Sequence, residues 1–122
     1  MGPIHEQKKL GEIFSHALAY VSPGHVGLGV LHSLACGVPV ITCTERLHSV
    51  EITNCKPENS LLVPYTTNDI AEAMRKLHKN RSLQHQMSLA SYKYYQDFCT
   101  IDKMVDGLDS AIKYVKSKSL LK

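Results

Sequence analysis

From Ser22 to His32 the chain reads Ser-Pro-Gly-His-Val-Gly-Leu-Gly-Val-Leu-His, with glycines at 24, 27 and 29 and imidazoles at 25 and 32. Glycine lets backbone approach a ligand closely, and unpaired amides at a helix start, with the positive end of its dipole, favour an anion. The spacing G-x-x-G-x-G differs from the dinucleotide fingerprint G-x-G-x-x-G, and no lysine follows as a P-loop requires. Spacing alone leaves two readings: a phosphate-binding turn, or a tight strand-to-helix turn that needs only glycine. His32 is equally two-sided. At 100° per residue it falls between the apolar arc of Leu28, Leu31 and Ala35 and the small-residue side of Gly29 and Cys36. It is there either a hydrogen-bonded rim residue or a group within reach of a ligand bound near the helix start.

The remaining reactive side chains carry less. His25, His32 and His48 could be imagined around a metal, yet no carboxylate stands at ligand spacing, so no metal is expected. Cys36, Cys43, Cys55 and Cys99 form no C-x-x-C pair, which removes a zinc ribbon and leaves reduced thiols as the expectation. No two carboxylates are paired at an informative spacing, so no catalytic acid or base is assigned.

The elements that must position the glycine segment alternate. Leu10, Ile13, Phe14 and Ala17 recur at helical spacing and predict a helix over Glu6 to Ala17. Leu18 to Val21 reads as a short buried strand stopped by Pro23-Gly24. Gly27 to Cys36 reads as a helix, with Gly37 where a left-handed cap is wanted. Val38 to Thr42 is a second apolar strand, its early proline suited to a strand start. Cys43 to Asn59 reads as loop with a helical turn near Val50–Ile52, and Leu61 to Val63 as a third strand. Three helices close the chain: Asn68 to Lys79, Arg81 to Phe98, and Asp102 to Lys116 behind a Thr100 cap, the last with an apolar stripe of Met104, Val105, Leu108, Ala111, Ile112 and Val115. Short apolar strands between helices predict an α/β fold: a Rossmann-like, three-layer partial domain with a short parallel sheet, helices on both faces and a helical C-terminal end. Ligands bind at the carboxyl ends of such strands, where the glycine segment lies.

Composition narrows the class. In 122 residues, 43% hydrophobic and 20% charged, a packed core is feasible and disorder is not expected. The longest uncharged stretch, Leu18 to Thr44, is broken by Pro23, Pro39 and four glycines, which argues against a spanning helix. No leader pattern opens the chain, and a cytoplasmic location, peripheral at the inner membrane face, is the expectation. The net charge of +3 gathers at Lys113, Lys116, Lys118 and Lys122. No aromatics are interleaved, so this basic end reads as a solvated helix terminus and not as a nucleic-acid surface. No internal repeat or linker appears, so residues 1–122 read as one domain.

The residues Val21-Ser22-Pro23-Gly24-His25-Val26-Gly27-Leu28 and then Leu31-His32-Ser33-Leu34-Ala35-Cys36-Gly37-Val38-Pro39-Val40-Ile41-Thr42 carry a resemblance. They are similar to the stretch E-G-F-G-L-x-x-L-E-A-M-A-C-G-x-P-V-I of glycosyltransferase family 4, enzymes of the GT-B fold with two Rossmann-like domains facing a cleft. Glu51-Ile52 and Glu58-Asn59-Ser60-Leu61-Leu62-Val63-Pro64 resemble the family's P-E-I and D-G-x-N-G-L-L-V-P. The likeness covers most of Pro3 to Leu77.

The resemblance implies a donor-binding C-terminal portion, without the acceptor domain and the first strands of the donor domain. It also implies a donor linked to UDP or GDP, retention at the anomeric carbon and no obligatory cofactor. The amides of Val26, Gly27 and Leu28 would face the diphosphate, in the stretch that includes Gly24 and His25; Glu51 has a matching position of uncertain role. There are departures. The family's Glu-x7-Glu pair, which holds the sugar and the ribose, falls here on Gly24 and His32. The same substitution resembles a subgroup of capsular and surface-polysaccharide glycosyltransferases, in which His32 would take the ribose side, since imidazole can hydrogen-bond a hydroxyl. Ser60 replaces a family glycine. The implied parent activity is sugar transfer to a glycan or lipid-linked acceptor, with little activity expected of this chain alone. The alternative is a non-catalytic nucleotide-binding or partner-association module, whose exposed sheet edges would favour self-association. A third relative, a nucleotide-sugar epimerase, lacks its acid-rich motif here.

Overall fold

A computed structural model describes residue 4 and residues 6–119. The likeness at Met1 to Pro3 and His5, and the basic Lys122, lie outside the described residues.

The chain begins with α1 (Gln7–Ser15), β1 (Tyr20–Ser22), α2 (Gly29–Ala35) and β2 (Val40–Cys43). A 3₁₀ turn at Val50–Asn54 precedes β3 (Ser60–Val63), α3 (Thr67–Lys79) and α4 (Arg81–Tyr94). A π turn at Tyr95–Cys99 then leads into α5 (Ile101–Ser119). The strands form one parallel sheet in the order β1-β2-β3, with Tyr20 opposite Val40 and Val40 opposite Ser60. This is the expected mixed α/β architecture. Neighbouring side chains of β2 point to opposite faces, and each meets its own layer. Val40 packs with Val26, Val30 and Leu34 on one side; Ile41 packs with Ala73, Leu77 and Met87 on the other. All four β2 residues are buried, which explains the uninterrupted Val-Ile-Thr-Cys run.

Local chemistry sets the boundaries. Gly37 ends α2 in the left-handed region at φ +67, and the Val38 N–H bonds to the Ser33 carbonyl at 2.9 Å. The Gly37 N–H bonds to Leu34, completing a Schellman cap. The cap takes the Val38 N–H and Ser33 Oγ donates to the Val38 carbonyl at 2.6 Å, while Pro39 has no N–H to give, so β2 starts two residues later than its apolar run suggests. Likewise β1 starts at Tyr20, because residues 16–19 form the turn out of α1. Thr66 caps α3 and Asn80 caps α4 through their side chains, at 3.1 and 2.9 Å. Ser60 tolerates the glycine's place: it is buried and donates to Asn59 Oδ1 at 2.7 Å.

The end of the chain departs from the pattern. Residues 101–118 are all exposed, and the stripe of Met104, Val105, Leu108, Ile112 and Val115 covers nothing among the described residues. Among those residues no helix is long and apolar enough to cross a membrane.

Candidate functional site

The glycine segment forms the loop from the carboxyl end of β1 into α2, as the strand-to-helix reading requires. Its anchor is Val26, fully buried against Val30, Leu34 and Val40. Both backbone polar groups of Val26 are satisfied by side chains of the loop after β2. Its N–H donates to His48 Nδ1 at 3.3 Å, and its carbonyl accepts from Ser49 Oγ at 2.6 Å. His48 Nε2 lies 2.6 Å from the Cys43 carbonyl, so that nitrogen carries the proton. Leaving either Val26 group unpaired would cost about 1–3 kcal/mol, because the residue has no access to water.

The second loop is itself anchored. The Tyr65 N–H donates to Glu45 Oε2 at 2.8 Å, and the Arg46 guanidinium lies 3.6 Å over the Tyr65 ring. The Thr44 N–H continues the ladder to Val63 at 3.0 Å. Below, Thr42 Oγ1 donates to Ser22 at 2.8 Å and fixes the end of β1. The Ser49 hydroxyl also touches Glu51, and its one proton serves one acceptor at a time. That hydroxyl, Glu51's own backbone amide and, more weakly, His25 hold the Glu51 carboxyl below its ordinary range.

The structure thus brings Gly24, His25, Val26, Gly27 and Leu28 beside His48, Ser49 and Glu51. His25 and Leu28 are exposed, and Gly24 and Gly27 are half-buried. His32 stands exposed on α2 and makes no side-chain hydrogen bond among the described residues. The amide of Val26 is taken by His48, whereas those of Gly27 and Leu28 have no acceptor among the described residues. A β-carbon at Gly24 or Gly27 would meet nothing within 4 Å, and neither residue has a positive φ. Chain packing therefore does not demand glycine at either position. Gly29 is different: a β-carbon there would lie 2.7 Å from Tyr20 Cζ.

In the sequence His48 stands out only as an imaginable metal ligand, and Ser49 does not stand out at all. A lone histidine and serine in a loop carry no periodic signal, and only the return of that loop onto Val26 reveals them. Among the described residues no three His, Cys, Asp or Glu side chains converge as metal ligands. Burial raises all four thiols above the ordinary cysteine value, so none supplies a ready thiolate. Two grooves of about 670 and 400 Å³ lie away from the loop. One is between β3 and α3, floored by Leu61, Val63 and Ala73; the other is between residues 15–18 and His78, Arg81 and Gln84.

Residues 2–94 of the 122 match the family described as Glycosyl transferases group 1. No curated protein and no solved structure matches the chain. The family match spans well over half of the sequence, and this protein belongs to the glycosyl transferases of group 1.

Proposed function

We propose that this chain is the nucleotide-sugar-binding part of a retaining glycosyltransferase of family 4, from the capsular or surface-polysaccharide subgroup. The parent enzyme would transfer a sugar from a UDP- or GDP-linked donor to a glycan or lipid-linked acceptor. An acceptor-binding domain, in the same polypeptide or a separate chain, would complete the cleft. Such an enzyme would work in the cytoplasm, peripheral to the inner membrane face, and needs no obligatory metal. The observation that carries the reading is the Gly24–Leu28 loop. It has glycines that packing does not require, two amides without acceptors among the described residues, and a place at the carboxyl end of a strand in a group 1 chain.

In this reading the Gly27 and Leu28 amides stabilise the departing diphosphate, and Gly24 and Gly27 leave room for its oxygens. His32 reaches the ribose hydroxyls, and Glu51, beside His25 and Ser49, borders the loop. No general base is assigned. The test is calorimetric titration of the chain with UDP and GDP, comparing wild type with His32→Ala and Gly27→Val. Saturable binding weakened in both variants supports the reading. Binding of neither nucleotide would sink it.

A second reading is favoured by Gly24 and His32, which stand where the family resemblance puts carboxylates. The chain would then be a non-catalytic module that binds nucleotide or a partner. Nucleotide binding by this chain joined to no measurable transfer or donor hydrolysis, even with an acceptor domain supplied, would select it.

A further inference from the structure

We infer that His48 is a positioning residue of the donor site, holding the Gly24–Leu28 loop in its binding shape as one fixed neutral tautomer. The inference rests on the donor-site reading above. The two hydrogen-bond partners of the ring decide its protonation without reference to any ligand. The Cys43 carbonyl can only accept, so Nε2 at 2.6 Å must donate. The Val26 N–H can only donate, so Nδ1 at 3.3 Å must accept. An imidazolium, or the opposite tautomer, would set N–H against N–H at Val26.

The lock has a mechanical consequence. His48 joins the last residue of β2 to the middle of the glycine loop, and Ser49 holds the same residue by its carbonyl. Loop position is thereby referred to the central strand and to the Tyr65 anchor at the end of β3. With the Val26 amide engaged, the next two amides, Gly27 and Leu28, remain without acceptors among the described residues, and a β-carbon at Gly27 would meet nothing within 4 Å. His48 touches no ligand in this arrangement. It sets where those amides stand, and a site for a diphosphate gains from amides held in place before the ligand arrives.

The experiment has two parts on the whole chain. Long-range nitrogen–proton correlation of the His48 ring in the wild type reads the tautomer; an unprotonated Nδ1 and protonated Nε2 are expected, and a protonated Nδ1 overturns the inference without any variant. Amide exchange and UDP and GDP titration are then compared in wild type, His48→Ala and His48→Asn, whose amide oxygen can stand in the place of Nδ1. In His48→Ala, exchange at Val26 rises and affinity for both nucleotides falls about tenfold, the scale of one lost hydrogen bond. Exchange at Ile41 stays slow, and His48→Asn recovers most of both effects. Wild-type binding with unchanged affinity in His48→Ala overturns the positioning role alone. No binding by the wild type overturns the donor-site reading, and the positioning role with it.

Discussion

At the scale of single residues, the loop mixes glycines of different purpose. Gly29 sits where a β-carbon would press on the Tyr20 ring, which is packed against Phe14 and the Val26–Val40 cluster. Gly29→Ala is expected to lower stability by about 1–3 kcal/mol, the usual cost of overpacking, as read by thermal or denaturant unfolding. Gly27→Val should leave the unfolding midpoint close to wild type, so that any loss of nucleotide affinity reports on the site. If both variants unfold alike, this distinction is wrong. Glu51 offers a pH test. Its folded-state value is depressed below the ordinary 4.5, so its contribution to stability is present above that pH. The contribution is lost as pH falls through the depressed value. Wild type should therefore exceed Glu51→Gln in stability near neutrality, and the gap should close in acid. A gap that is constant with pH would show that the Ser49 contact does not favour the charged form. None of these roles is legible in residue type alone: three glycines within six residues look alike until Tyr20 and open space separate them.

Among the elements, β2 and α5 are opposites. Every residue of β2 is buried and Val40, Ile41 and Thr42 pair on both edges, so Ile41, and Leu34 packed on the opposite face of the strand, belong to the most costly truncations, about 2–5 kcal/mol each for change to Ala. α5 has a helical apolar period, yet residues 101–118 all face solvent. Ending the chain after Thr100 should remove helical circular dichroism while shifting stability by less than about 1 kcal/mol, since no buried side chain is lost. A large drop in the unfolding midpoint would mean that α5 is covered in solution. The helix was legible because amphipathic spacing and the Thr100 cap are local; what its stripe faces is not local information. The starts of β1 and β2 fall two residues later than their apolar runs for a comparable reason. The Schellman cap at Gly37 takes the Val38 N–H, and the turn after α1, with the His16 and Ala17 N–H groups bonded back to the helix, comes before the ladder begins.

For the whole molecule, the sheet among the described residues has three strands, and β1 and β3 each pair there on one side only. Together with the α5 stripe, where Leu108 and Val115 are each 63% exposed, this leaves unsatisfied strand edges and apolar surface on one small protein. Sedimentation should show an average mass that rises above 13.6 kDa with concentration, and Leu108→Lys should reduce the rise if the stripe is responsible. A mass that stays at the monomer value at every concentration would dismiss self-association.

The sequence by itself determined the α/β class, the order of elements, the left-handed Gly37 cap and the glycine loop at the end of a strand. Each of these is written in short-range spacing: periods of two and 3.6 residues, and turn residues with one permitted conformation. The tertiary structure alone decided that Val26 is held by His48 and Ser49, whose side chains lie 22 and 23 residues away along the chain. The close approach of Gly29 to Tyr20 belongs to the same class, as does the stripe of the last helix, uncovered among the described residues. Those facts depend on which side chains a parallel sheet brings to its carboxyl edge, and such contacts join residues that no local period connects.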